Sequence, residues 1–273
     1  MPRLQEMSKA LHLLLEGQTL TGCGRKIGPY DCCTVVCGDC LELMRNLPDG
    51  CVDAVITDPP YGIGFSEFDV HKDDPALYEG MMKEAVSRAE RACRDGAALF
   101  WWQGMPRAAD WHKWFPSTFR IMASCKDFVQ MWFQIRVQYS FDPIIFWYKA
   151  GIEPKGRATG SRIENAKERR WDWHIARTSQ TVNDTLTKGI HPCQKAINAV
   201  ETVVFCASNE GETILDPFLG SGTTAVAAKK LGRHFLGFEI SPDYCKIAED
   251  RIALVEAQPN LFEKKPEQGM LIA

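Results

Sequence analysis

Hydrophobic and polar positions alternate along the chain between short apolar runs and longer segments with apolar residues at helical spacing. The apolar runs predict buried strands at Thr34–Cys37, Asp53–Thr57, Ala97–Trp102, Ile144–Tyr148, Thr213–Leu215 and His234–Glu239. The amphipathic segments predict helices at Leu41–Asn46 and Leu77–Cys93, after His191-Pro192 as far as about Ala207, over a segment ending at Leu231, and at Pro242–Glu256. Strands that alternate with helices predict an α/β fold with a mainly parallel sheet.

The same pattern divides the chain into five segments. They are an N-terminal helical extension (1–30), the first half of the α/β domain (31–150), an insert (151–190), the second half of the domain (191–257) and a C-terminal tail (258–273). Within the first half, Arg94-Asp95-Gly96 predicts a turn between a helix and the following strand.

The composition favours a soluble globular protein and excludes a membrane span. Hydrophobic residues make up 45% of the 273 positions and charged residues 25%, as in ordinary globular domains. No apolar run approaches the roughly 20 residues that cross a bilayer. The first residues lack the charged-then-apolar layout of a secretory signal. We therefore expect a cytoplasmic protein.

The net charge of −3 hides a local basic segment. Residues 151–195 contain nine basic and five acidic residues, which gives +4 there and −7 elsewhere. A basic insert on an acidic body is typical of a segment that contacts phosphates. A solvated mixed-charge loop is an equal alternative from charge alone.

Eleven cysteines form an unusually large set, and five of them lie between residues 23 and 40. Cys37-Gly-Asp-Cys40 has the two-residue gap of a zinc knuckle. However, Val35–Asp39 has the pattern of a strand that ends in a tight turn, and no second such pair follows. We therefore favour reduced structural thiols without a metal, with zinc as the alternative.

Acidic residues stand at the ends of four predicted strands: Asp39, Asp58, Asp216 and Glu239. Ligands of parallel α/β sheets bind beyond the carboxyl ends of the strands. The sequence therefore predicts a functional site along one edge of the sheet.

A glycine-rich turn follows Asp216 and predicts a cofactor site. Gly220, Gly222 and Ala225 have the Gly-x-Gly-x-x-Gly/Ala spacing, which lets backbone approach a ligand at a helix N-terminus. Glu239, at the end of the next strand, would accept hydrogen bonds from ribose hydroxyls. No Gly-Lys-Ser/Thr follows, which argues against a nucleoside triphosphate. The predicted cofactor residues in and around this turn are Asp216, Phe218, Gly220, Ser221, Gly222, Thr223 and Glu239.

NAD and S-adenosyl-L-methionine both fit this turn, and Asp216 favours the second. A carboxylate there suits the α-ammonium of a methionine moiety, whereas it would repel a pyrophosphate. Asp39 has two open roles, which are to accept from the adenine amino group or to cap the helix that starts at Leu41.

Asp58-Pro59-Pro60-Tyr61 carries the most specific chemistry. An exocyclic amine on a base is a poor nucleophile because its lone pair is delocalised into the ring. Asp58 and the carbonyl of Pro59 can accept its two N–H groups, and consecutive prolines hold that carbonyl rigidly. Tyr61 offers a flat face for a base swung out of the duplex. The tetrapeptide therefore predicts transfer to an amino group, governed by orientation and electrostatics.

In this order the motifs resemble the permuted β class of amino-group DNA methyltransferases. The resemblance runs from Val35 to Val255 and implies a Rossmann-like, S-adenosylmethionine-dependent fold with a small target-recognition insert. It includes His191-Pro192-Cys193-Gln194-Lys195, although Ala196 stands where the family has proline. It implies that Lys195 binds the cofactor carboxylate. The insert residues that it implies for contacts with double-stranded DNA are Arg157, Arg162, Lys167, Arg169 and Arg170.

The resemblance favours adenine N6 as the target because the tetrapeptide begins with Asp rather than Ser. Cytosine N4 is the main alternative. Further alternatives for the function are an RNA or protein methyltransferase, an NAD-dependent oxidoreductase, and a DNA-binding module without catalytic activity. Cys193 imitates the nucleophile of cytosine-C5 enzymes, but Asp58 occupies the place where that cysteine belongs. Relatives often pair, so a homodimer is an expectation, and any restriction nuclease would be a separate chain.

Overall fold

The structure is a computed structural model that describes residues 22–62, 75–126, 141–151, 173–176 and 195–257. The predicted N-terminal helix, the tail 258–273 and His191–Gln194 lie outside the described residues. The same holds for the five predicted DNA-binding residues, Arg157, Arg162, Lys167, Arg169 and Arg170.

Ten strands and five α-helices follow one another along the described residues. The strands are β1 (Lys26–Ile27), β2 (Tyr30–Asp31), β3 (Thr34–Cys37), β4 (Val52–Thr57), β5 (Cys93–Trp102), β6 (Arg120–Lys126), β7 (Phe141–Tyr148), β8 (Trp173–Ala176), β9 (Thr213–Asp216) and β10 (His234–Glu239). The α-helices are α1 (Cys40–Arg45), α2 (Pro75–Ala92), α3 (Ile197–Ala207), α4 (Thr223–Lys230) and α5 (Pro242–Ala257). A 3-10 helix spans Met105–Lys113.

The main sheet has eight strands in the order β3-β10-β9-β4-β5-β7-β6-β8. The first five are mutually parallel, β7 is antiparallel to both of its neighbours, and β8 is parallel to β6. The prediction of an α/β fold with a mainly parallel sheet is confirmed. β1 and β2 form a separate antiparallel hairpin before β3.

The core lies on both faces of the parallel strands. Val55 and Ile56 of β4, and Ile214 and Leu215 of β9, are fully buried, and burying each such side chain contributes about 1.5–3 kcal/mol. Two-sided burial explains why these strands are continuously apolar in the sequence. Among the described residues, no helix combines the length and apolarity that a membrane crossing requires.

The predicted turn at Arg94-Asp95-Gly96 is wrong, because these residues belong to β5. Between the Val52–Cys93 and Ala54–Ala98 pairs the register of β4 against β5 shifts, which marks an irregularity in the strand. Gly96 has a φ of +73° there, and Arg94 forms ion pairs with Asp53 and Glu212. The sequence shows the glycine, but not the partners that keep the bulge inside the sheet.

Candidate active site

The four parallel strands that end in acidic residues are neighbours in the sheet. β3, β10, β9 and β4 lie side by side in that order. Glu239 ends β10, Asp216 ends β9, Asp58 follows β4 and Asp39 follows β3 after one glycine. The topology therefore places all four acidic residues along one edge of the sheet, as the sequence predicted.

The glycine-rich turn joins β9 to α4 through two glycines in the left-handed region. Gly220 has a φ of +56° and Gly222, which caps α4, a φ of +87°. A Cβ on Gly222 would lie 2.8 Å from the Cβ of Ala248 in α5. Gly222 is therefore required both by its backbone conformation and by close packing.

Glu239 closes this turn from the neighbouring strand. One carboxylate oxygen, Oε2, accepts from the backbone N–H of Gly220 at 2.8 Å, and Oε1 accepts from that of Ser241 at 2.8 Å. The side chain is half-buried. The carboxylate thus fixes the turn against β10 and stands at the predicted cofactor edge.

Asp216 is buried between the turn and β4. Its Oδ1 accepts from Thr57 Oγ1 at 2.6 Å and from the backbone N–H of Phe218 at 3.0 Å. Burial raises the pKa of Asp216 to about 7, while hydrogen bonds from Thr57, Thr224 and Phe218 oppose that rise. The group therefore titrates near neutral pH, which is a property of many functional carboxyl groups.

The remaining turn residues are held by contacts inside the protein. Arg251 of α5 donates to the carbonyl of Ser221, to Ser221 Oγ at 2.9 Å and to Thr223 Oγ1 at 3.3 Å. The ring of Phe218 lies edge-on to Trp101, with 6.3 Å between centroids. Both hydroxyl side chains are buried, so they brace the turn from behind.

Asp39 caps α1. Its Oδ1 accepts from the backbone N–H groups of Leu41 at 2.7 Å and Glu42 at 3.4 Å. The capping role that the sequence left open is thus realised. The side chain is exposed, and its contact with an adenine amino group stays a prediction.

Asp58 of the tetrapeptide binds two neighbours. Tyr61 Oη donates to Asp58 Oδ1 at 2.6 Å, and Lys195 Nζ lies 3.1 Å from Asp58 Oδ2. Lys195 also donates to Tyr61 Oη at 2.9 Å and lies 3.6 Å from Asp142 Oδ2. The ammonium of Lys195, predicted to bind the cofactor carboxylate, therefore links the tetrapeptide to the start of β7.

Burial and charge act together on this cluster. Burial raises the pKa of Asp58, and the ammonium of Lys195 opposes that rise. Burial also raises the pKa of Tyr61 well above its usual value. For Lys195 burial disfavours the charge, but Asp58, Tyr61 and Asp142 outweigh it and raise the pKa well above its usual value. These neighbours favour the charged form of Lys195, and its ammonium in turn favours ionised Asp58 against the effect of burial.

A second layer of side chains holds the end of the tetrapeptide. A Cβ on Gly104, just after β5, would lie 3.0 Å from the Tyr61 ring. Gly62 has a φ of +65°, and a Cβ there would clash with the Tyr78 ring. Arg107 Nη2 donates to the carbonyl of Gly62 at 2.7 Å. The chain leaving Tyr61 is therefore fixed by elements distant in sequence.

Sequence reasoning missed Asp142, Gly104 and Thr57. Because β7 is antiparallel to β5, its first residues lie at the edge where the parallel strands end, so an acidic residue there reaches the site. Recognising β7 as antiparallel would have identified Asp142. Gly104 lies just beyond the carboxyl end of β5, and this position was the available signal for it.

Comparisons with known proteins identify the family and the fold. A sequence profile for the family described as DNA methylase matches residues 52–250. The type II methyltransferase M.BglII of Bacillus subtilis is 27% identical over 248 residues, which cover 77% of this chain and 66% of that protein.

Two solved structures share the fold. The M1.HpyAVI–SAM complex has a TM-score of 0.58 at 19% identity, covering 80% of this chain and 98% of that one. The PvuII DNA methyltransferase, described as cytosine-N4-specific, has a TM-score of 0.61 at 17% identity, covering 84% and 90%.

Proposed function

Because this chain belongs to the DNA methylase family, we propose that it transfers a methyl group from S-adenosyl-L-methionine to an exocyclic amino group in DNA. The observation that carries this proposal is that the glycine-rich turn and the tetrapeptide lie next to each other on one edge of the sheet. The glycine-rich turn follows β9, and Asp58 follows the adjacent strand β4. A hydrogen bond from Thr57 to Asp216 joins the two strands at that edge.

The cofactor is S-adenosyl-L-methionine, which supplies the methyl group as a reactive sulfonium. The left-handed backbone at Gly220 and Gly222 gives the turn a tight course, which supports close approach of its backbone N–H groups to a ligand at the start of α4. We assign the ribose hydroxyls to Glu239 and the methionine ammonium to the region of Asp216. An ammonium there would favour the ionised form of the Asp216 carboxyl group.

The residues of the tetrapeptide position and polarise the target amine. Asp58 Oδ1 and the Pro59 carbonyl would accept the two N–H groups, so that the amine nitrogen gains nucleophilic character. In the structure the hydroxyl of Tyr61 donates to Asp58 Oδ1, and we propose that the target amine replaces it as the donor to this oxygen. Lys195 remains beside Oδ2 and keeps the carboxylate charged while the base is bound.

We assign the target to adenine N6 rather than cytosine N4. The support is the Asp at the first position of the tetrapeptide. Mass spectrometry of nucleosides tests this assignment, after duplex DNA has been incubated with the enzyme and labelled cofactor. N6-methyladenine is the expected product, and N4-methylcytosine alone contradicts the assignment.

The substrate is double-stranded DNA whose target base leaves the helix before transfer. A base inside a duplex cannot reach Asp58, so extrusion is required. The basic insert supports binding to the phosphates. A competition assay with duplex DNA, RNA and protein is expected to show transfer to DNA, and preferred transfer to RNA or protein would overturn this choice.

Asp58→Asn tests the proposed role of the carboxylate. The amide keeps the shape but is a weaker acceptor and carries no charge, so transfer is expected to fall by about a thousandfold. Cofactor affinity, measured by calorimetry, is expected to persist. Asp49→Asn is the matched control, because Asp49 precedes β4 and pairs with Arg91, away from the site edge. Strong transfer by the Asp58 variant would refute the mechanism.

A further inference from the structure

The hairpin before the main sheet brings two cysteines together. β1 and β2 pair through Lys26–Asp31 and Ile27–Tyr30. Beyond the paired residues, the backbone N–H of Cys23 donates to the carbonyl of Cys32 at 3.3 Å. Cys23 and Cys32 therefore face each other across the open end of the hairpin.

The next residue, Cys33, connects the hairpin to the sheet. Its backbone lies in the left-handed region, with a φ of +62°, which is uncommon for a residue with a side chain. The backbone N–H of Cys33 donates to the carbonyl of Phe235 in β10 at 2.7 Å. This bond brings Cys33 beside His234, the first residue of β10, and Sγ lies 3.4 Å from His234 Nδ1.

The side chains of these residues have the spacing of a tetrahedral metal site. One ligand atom from each of the four residues lies within 4.8 Å of all the others, and the Sγ atoms of Cys32 and Cys33 are 3.9 Å apart. Zinc bonds of about 2.3 Å to sulfur and 2.0–2.1 Å to nitrogen give tetrahedral edges of about 3.8 and 3.5 Å. None of the three thiols is part of a disulfide. The geometry therefore fits coordination without a large rearrangement.

We propose that this chain binds a structural zinc ion, with ligands Cys23, Cys32, Cys33 and His234. Three thiolates and one imidazole form a Cys₃His set, which is typical of closed structural zinc sites. Cys32 and Cys33 are buried and Cys23 is exposed, so the ion can enter from the hairpin side. Coordination would also compensate for the strained backbone of Cys33.

The proposed site differs from the pair that the sequence suggested. Cys37 and Cys40 have the spacing of a zinc knuckle, but they lie at the carboxyl end of β3. Cys37 Sγ there contacts the carbonyl of Ile240 at 3.9 Å. The spacing did not reveal the ligand set, because His234 is 201 residues from Cys33.

The ion would stabilise the fold rather than act in methyl transfer. His234 begins β10 and Glu239 ends it, so the two ends are about 16 Å apart at the rise of a strand. Four protein ligands leave no open position for a substrate. The zinc would therefore hold the hairpin and β3 against the amino end of β10.

Metal analysis of the full-length protein tests this proposal. We expect one zinc per chain by mass spectrometry in protein purified under reducing conditions. After removal of the metal by a chelator, added Zn²⁺ should restore one equivalent and raise the melting temperature. Added Co²⁺ should give the thiolate-to-metal absorption of a tetrahedral site. Failure of the reduced protein to bind either ion would overturn the proposal.

Variants identify the ligands. Cys33→Ser and His234→Asn are expected to lose stoichiometric zinc, whereas the matched controls Cys37→Ser and Cys51→Ser retain it. Cys23→Ser alters an exposed position, so the protein should stay folded while zinc binding weakens by about tenfold or more. Zinc that is retained by Cys33→Ser and Cys23→Ser, or lost only in Cys37→Ser, would show that this cluster is not the site.

Discussion

The buried carboxyl group of Asp216 makes the stability of the protein depend on pH near neutrality. Its pKa rises from 3.8 to about 7 on folding, which corresponds to about 4 kcal/mol. The folded state therefore holds a proton that the unfolded chain releases. The contribution of Asp216 to the free energy of unfolding is therefore greatest at low pH. This contribution is lost as the pH rises to about 7. Asp216→Asn keeps an acceptor oxygen but does not ionise.

Urea denaturation at several pH values measures this effect. The free energy of unfolding of Asp216→Asn minus that of the wild type is expected to rise by about 2.5 kcal/mol between about pH 5 and pH 8. Thr57→Val removes a hydrogen bond that lowers the pKa, so the loss of stability should extend to higher pH. Thr202→Val is the matched control, because its hydroxyl donates within α3 to the carbonyl of Asn198 at 2.9 Å. If the free energies of unfolding of Asp216→Asn and the wild type differ by the same amount at every pH, the proposed titration of Asp216 is refuted.

Three further substitutions test the turn and the tetrapeptide. Gly222→Val places a branched side chain on a left-handed backbone, where it clashes with an alanine of α5. The free energy of unfolding should fall by about 2–3 kcal/mol, and calorimetry should detect no cofactor binding. Gly80→Ala, where a Cβ meets open space, should change neither stability nor cofactor binding. Gly104→Ala should displace Tyr61 and reduce kcat for transfer by about tenfold without changing the melting temperature; an unchanged kcat would contradict this packing. Lys195→Met removes the cation beside the tetrapeptide carboxylate, whose pKa should rise, so the pH–rate profile should shift to higher pH; an unshifted profile would exclude that role.

The sequence predicted features that depend on neighbouring positions. Continuous apolar runs identified β4 and β9, and the acidic residues that follow those strands identified the site edge. Parallel topology then requires Asp58 and Asp216 to share that edge. These inferences succeed because strand burial and strand ends are recorded in local patterns.

Features that depend on distant partners were not predicted. Asp142 reaches Lys195 only because β7 runs antiparallel to β5. Arg94 stays within a strand because Asp53 and Glu212 bind it. Spacing along the chain carries no record of either arrangement, since each is created by pairing between separate elements.

The position of β3 at the edge of the sheet has a consequence for synthesis on the ribosome. Among the strands that the structure describes, β10 alone pairs with β3 in the main sheet, and Cys33 contacts His234 across 201 residues. At about 5–20 residues per second, β3 leaves the ribosome about 10–40 s before its partner strand exists. During that interval Val35 and Val36 lack their native strand partner. We therefore expect β3 to join the domain last, after translation of β10, and the nascent chain to need protection until then.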